Sequence, residues 1–140
     1  MRSERGQALV EAIVLGLLLI IPLVWLLTVL ADVHRSALAV TAGARDAGGR
    51  AARATSVGAA GRAVDAAVAE ALAGHGLDPS KARVRWSAPP GFRRGGAVEV
   101  EVSYSVPVLG APFLGSVSSP SVWVRGRHVA RIDLYRSREP

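Results

Sequence analysis

The chain contains no cysteine, so neither a disulfide nor a thiolate metal site is open to it. Exported proteins often lack cysteine, so this absence decides no compartment. Aromatic residues make up only 5% of the chain, too few to interleave with cations as stacking platforms for single-stranded nucleic acid. Lysine is nearly absent as well: Lys81 stands alone among 17 basic residues, the rest being arginine. Beside so much Ala, Gly and Val, that bias reads as GC-rich coding rather than a selected arginine surface. The formal charge of +6 attracts anionic headgroups, cell-wall polymers or nucleic acid. The arginines are scattered, however, which argues against nucleic acid as a partner. His34, His75 and His128 are isolated, without a partner at metal-ligand spacing. A phosphate-binding Walker loop, a GxGxxG fingerprint and a GxSxG elbow are all missing. Glu99 and Glu101 are a close carboxylate pair, but their alternation puts them on an exposed strand face opposite arginines. No catalytic residue, cofactor site or metal ligand can be named, and an enzyme is not expected.

What the chain does have is a long apolar run near its start. Between Ala12 and Ala31 there is no charged residue. A helix needs about 20 predominantly apolar residues to cross a hydrocarbon core of about 30 Å. Counted from Ala8, the run reaches roughly 36 Å at about 1.5 Å per residue, enough to span with some tilt. Pro22 lies inside it, where a membrane helix tolerates a kink. One membrane-spanning helix is expected over residues 7–31.

Glu11 is the anomaly in this run. A carboxylate about one turn inside an apolar helix costs on the order of 2.5–3.5 kcal/mol at the bilayer centre, and less near the interface. One reading is an interfacial side chain that snorkels to the headgroups. A second weighs the short polar leader of residues 1–6, MRSERG, with Gly6 directly before Gln7 and Glu11 fifth from Gln7. That arrangement resembles the processing signal of type IV prepilins. In that family the glutamate is thought to pair with the freed amino terminus of a neighbouring subunit, which makes sense in low dielectric. An ordinary secretory signal is a third reading, with a cut near Ala37-Leu38-Ala39. Its apolar core would be about 7–15 residues without acidic interruption, whereas this run is longer and contains Glu11.

Beyond Asp32 the pattern stays helical and becomes amphipathic. Val33, Ala37, Val40, Ala44, Ala47, Ala51 and Ala54 alternate at spacings of four and three, which places them on one face. Gly43, Gly48 and Gly49 each cost about 1 kcal/mol relative to Ala, so a break or bend is expected there. This helical extension covers residues 32–55, and a small domain covers 56–140. A second helix is expected from about Ala59 to Ala73, with Val64, Ala67, Val68, Ala71 and Leu72 inward and Gly74 and Gly76 as stops. Three strands follow. The first places Val84 and Trp86 on one face. The second alternates Val98, Val100, Val102, Tyr104 and Val106 with Glu99, Glu101, Ser103 and Ser105. The third gives Val122, Val124, Ala130, Ile132 and Leu134 one parity, with Gly126 read as a bulge. A long Gly/Pro/Ser loop joins the last two strands from Pro107 to Pro120, carrying Leu109, Phe113 and Leu114. The fold class is therefore α+β: a transmembrane helix with a helical extension, then a helix covering one face of a three-stranded antiparallel sheet.

Residues Glu4 to Leu23 resemble the amino-terminal signature of TadE-like pseudopilins of Tad (Flp-type) pilus systems. The residues that match are Gly6, Val10-Glu11, Pro22 and the Ala/Arg-rich stretch Ala44-Arg45 through Arg50-Ala51-Ala52-Arg53-Ala54. The alternation from Val98 to Pro107 is similar to the family's first long strand. Ala12 departs from the pattern, since many members carry an aromatic after the glutamate. The resemblance implies a minor pilin-like subunit at the bacterial inner membrane, amino terminus cytoplasmic and carboxyl domain outside. It implies assembly or priming of a pilus or related secretion machine, with other pilin-like subunits, a prepilin peptidase and an inner-membrane assembly platform as partners. Arg35, Arg45 and Arg50 against Arg2 and Arg5 tilt a simple count the other way, a rule that weakens when a sizeable domain follows. Ala8, Ala12 and Gly16 recur every four residues, a stripe that permits close helix approach. The other function class open to the sequence is a permanently anchored envelope protein whose basic domain binds lipid, cell wall or DNA.

The leader, Gly6 and Glu11 together predict cleavage between Gly6 and Gln7. Mass spectrometry of protein from native membranes should find a chain starting at Gln7. An intact Met1 terminus beside an active peptidase, or a terminus near Val40, would contradict that.

Overall fold

The computed structural model describes residues 2–93, 95–108 and 120–133. Its architecture is α+β. A long helix, α1 (Arg2–Ala52), leads into a second helix, α2 (Val57–Gly74), and then into a sheet of β1 (Ala82–Ser87), β2 (Ala97–Pro107) and β3 (Ser121–Arg131). The sheet is antiparallel with order β1-β2-β3. Most of the loop from Pro107 to Pro120, with Leu109, Phe113 and Leu114, lies outside the described residues, as does Leu134.

The strand alternation sets the layers. Val98, Val100, Val102, Tyr104 and Val106 are all buried beneath the helices, flanked by half-buried Val84 and Trp86 on β1 and by Val124 and Ala130 on β3. The helical layer is mainly the second half of α1, which packs on β2 and β3. The α2 helix lies beside α1 and reaches β1 at the edge. This corrects the expectation that the second helix alone covers the sheet. The α1 face is also wider than the Val33–Ala54 stripe. Val40, Ala44, Ala47 and Ala51 are fully buried as expected, and Ser36, Ala39 and Ala52 join them.

Two glycine assignments are overturned, for the same physical reason. The α1 helix does not break at Gly43, Gly48 or Gly49 but runs through all three to Ala52. A Cβ on Gly48 would stand 2.9 Å from the His128 ring, so the missing side chain lets the helix settle onto β3. The burial gained there outweighs a propensity cost of about 1 kcal/mol. Gly126 makes no bulge either, because the β2–β3 register continues unshifted from Ala97↔Arg131 to Pro107↔Ser121. It is the point where the backbone of α1 touches the sheet: a Cβ there would lie 2.6 Å from the Val40 carbonyl oxygen.

Local chemistry explains the bounds of α2. Ser56, in extended conformation, accepts a hydrogen bond from the Ala59 amide at 3.2 Å, which starts the helix two residues before the expected Ala59. At the other end Gly76 takes a positive φ of 68°. The Leu77 amide donates to the Leu72 carbonyl and the Gly76 amide to the Ala73 carbonyl, the paired bonds of a Schellman stop. Gly76 is thus the terminating residue, and Gly74 is simply the last helical one.

Gly126→Ala should therefore cost about 1–3 kcal/mol, because backbone atoms of α1 cannot give way as a side chain would. Gly74→Ala, with open space around it, should be neutral or slightly stabilising. Urea unfolding in detergent, followed by far-ultraviolet circular dichroism, distinguishes the two.

Candidate functional site: an exposed apolar shaft

The α1 helix has 51 residues, about 75 Å at the usual rise, and its two halves meet different surroundings. From Ser36 onward one face is buried in the head. Before that point most of its large apolar side chains are bare, with Ile21 46% exposed and Leu19 71%. Fully burying one such side chain is worth about 1.5–3 kcal/mol, so leaving this surface in water would forgo on the order of tens of kcal/mol. The shaft is long and apolar enough to cross a membrane, and none of its most apolar window is buried. It therefore is not the core helix of the head.

Inside the shaft the polar groups are few. Thr28 donates its hydroxyl to the Val24 carbonyl at 2.9 Å. Pro22 lies within the unbroken helix and leaves the Leu18 carbonyl without its usual amide donor. Glu11 is exposed and has no partner among the described residues. Gly6, Gln7, Ala8 and Ala12 are exposed on the same helix, and Gly16 is half-buried with nothing within 4 Å of where a Cβ would stand. The stripe of Ala8, Ala12 and Gly16 thus faces outward along the shaft, with Glu11 at its border. The fold brings no other described residue against this group.

Continuity of α1 also bears on the secretory-signal reading. A cut after Ala39 would remove buried Ser36 and Ala39 and place a charged amino terminus at Val40, which is 0% exposed. Burying an unpaired ammonium costs several kcal/mol, so such processing would damage the head it was meant to release.

Charged groups in the head pair at the surface. Asp32 meets Arg35 at 2.7 Å just past the apolar run. Arg50 bridges Glu70 at 2.8 Å and Asp46 at 2.7 Å, and these bonds, Glu70 first, push its pKa above the usual arginine value. Asp78 accepts hydrogen bonds from the Ser80 hydroxyl and then the Ser80 amide, which hold its carboxyl below the ordinary range. Glu99 pairs with Arg127 across the open sheet face at 2.7 Å, and Glu101 sits in register with Arg85 and Arg127. His34 is exposed, His75 bonds the Ala71 carbonyl through Nδ1, and His128 lies against Gly48. Among the described residues no cluster of His, Asp or Glu is arranged to hold a metal.

One grouping escaped the sequence reading. The Arg83 guanidinium lies 4.5 Å from the centroid of the Trp123 ring. The two are 40 residues apart and meet because the register aligns Arg83 with Ser103 and Trp123 with Ser105, small residues over which Arg83 can lean. Strand parity alone would have put both on one face, but not side by side.

No family model matches the chain, and neither the curated proteins nor the solved structures compared with it gave a match.

Proposed function

We propose that this chain is a minor pilin-like subunit of the TadE-like kind, which acts in assembly of a Tad/Flp pilus or a related secretion machine. The observation that carries the reading is Glu11, a carboxylate about one turn inside an apolar shaft, exposed and without a partner among the described residues. An anchor gains nothing from a charge at that place, because Leu or Val would insert more easily. A subunit that meets a neighbour's amino terminus in low dielectric would gain a charge pair there. The small-residue stripe beside it supports the same reading, since Ala8, Ala12 and Gly16 let a second helix approach closely. The role is structural, with other pilin-like subunits, a prepilin peptidase and the inner-membrane platform as partners, and no cofactor. In this reading the amino terminus is cytoplasmic and the head lies outside. The competing reading is a permanent envelope anchor, favoured by the arginines on the open sheet face.

Orientation is tested by a carboxyl-terminal alkaline phosphatase fusion, expected to be active; a fluorescent cytoplasmic reporter in its place would reverse the topology. Assembly is tested on the helix itself. Gly16→Leu should insert normally yet block close packing, and Glu11→Ala should ease insertion but leave a partner's ammonium unpaired, a loss of about 3–5 kcal/mol. Both variants should accumulate in the membrane and fail to crosslink to other pilin-like subunits. Wild-type crosslinking by both would make the helix an anchor only.

A further inference from the structure

We infer that the corner of the open sheet face nearest the shaft, built from Trp123, Arg83 and Lys81, docks on the anionic lipid headgroups of the membrane that α1 crosses. The inference rests on the reading that α1 spans that membrane. Its first support is position. Two contacts fix how β3 lies along α1: Gly126 against Val40 and Thr41, and His128 with Ala130 against Gly48. Along the strand these contacts are about 10 Å apart, and along the helix about 11 Å, so the two elements run side by side in the same direction. Following that line back, Trp123 lies about 10 Å nearer the shaft than Gly126, level with residues 33–34 of α1. The last residue of the uncharged run is Ala31. Trp123 thus stands about 3–5 Å beyond the apolar boundary, within a headgroup layer that is about 5–8 Å deep on each side.

The second support is chemistry. Trp123 is 41% exposed, although a residue of its size would ordinarily be covered. Trp is enriched where membrane meets water, because its ring is apolar and its N–H is wet. Here the ring carries the Arg83 cation on one face. Lys81 and Arg83, with Ser80, Ser105, Pro107 and Trp123, line a shallow depression of about 440 Å³. Arg125 lies in the same register row as Arg83, on the far side of Ser103. Cations, the Ser105 hydroxyl and an interfacial aromatic in one depression fit a phosphate group carried on a lipid. Of the nearby acids, Asp32 is engaged with Arg35, whereas Asp78 sits at the rim, holding the Ser80 hydroxyl and amide beside Lys81, so Lys81, Arg83 and Arg125 face a single carboxylate among the described residues.

A nucleic-acid strand fits less well. Among the described residues the open face has one aromatic, already capped by Arg83, and Glu99 and Glu101 interrupt the arginines further up the sheet. A polymer track needs repeated stacking platforms and an unbroken cationic groove. The lipid occupant needs only the corner.

The test uses the full chain with Trp25→Phe and Trp86→Phe, so that Trp123 is the sole emitter, reconstituted in neutral phosphatidylcholine or phosphatidylglycerol-rich vesicles. Lipids with a headgroup nitroxide should quench Trp123, and the effect should be about twofold stronger in the anionic vesicles and weaken with salt. Lys81→Ala with Arg83→Ala should remove that difference. Trp123 as open to aqueous iodide in vesicles as in neutral detergent, and untouched by the nitroxide, would overturn the docking. So would protection by a single-stranded oligonucleotide in the absence of protection by vesicles. Carbonate-resistant flotation of the same samples reads α1 separately. A chain that floats with Trp123 unquenched refutes the docking alone, and a chain that does not float refutes the span and the docking with it.

Discussion

The seam where α1 meets β3 without an intervening side chain is what the head depends on. At Gly126 the strand backbone lies directly under the carbonyl of Val40, closer than any residue with a Cβ would allow. That contact draws the helix down far enough for alanines to suffice as its buried face. Ala39, Ala44, Ala47 and Ala51 are fully buried although each is small. A helix held at ordinary distance would have required Leu or Ile at those positions to avoid voids, because interiors are close-packed. The glycines and the alanines are therefore one device. Short side chains on the helix are matched by one absent side chain on the strand, at Gly126, and the bulk of the core comes from the valines of β2 and from Leu72 and Val64 of α2.

The same seam divides the long helix into two environments. Its second half is one wall of the head, and its first half has an apolar surface that no other described residue covers. The boundary is sharp in the sequence too, because Asp32 and Arg35 pair just where the uncharged run ends. Polar satisfaction follows the division. In the shaft Thr28 turns its hydroxyl inward to a carbonyl, whereas in the head charges meet other charges in water. Glu11 is the exception to this division, and an assembly function is the reading that gives it a purpose.

Much of this was legible in the residues. The shaft was plain because an uncharged run of that length has few other uses, and β2 was plain because five apolar residues alternate with polar ones. Parity also placed Val124, Ala130 and Ile132 toward the core, whereas Val122, of the same parity, is exposed at the start of β3. The glycines were not legible. A glycine in a helical pattern signals a break when judged by propensity, yet its cost depends on what lies opposite, and Gly48 faces His128 from 80 positions away. Gly126 misled in the same manner: a bulge and a close approach both require a missing Cβ, and only the tertiary neighbour tells them apart. In the candidate site, the exposure of Gly6, Gln7, Ala8 and Glu11 followed from the apolar pattern. The Arg83–Trp123 stack did not, because it depends on two strand registers at once.

The unbroken passage of α1 from shaft to head has a geometric consequence. With no loop between span and core, the head is phase-locked to the shaft, and each residue of the connection carries a fixed rotation of about 100° and a rise of about 1.5 Å. Adding or removing a single residue between Ala31 and Ser36 would turn the whole sheet by more than a quarter circle about the helix axis, while barely changing its height. The number of residues in that short connection, more than their identity, fixes the compass direction in which the sheet looks relative to Glu11.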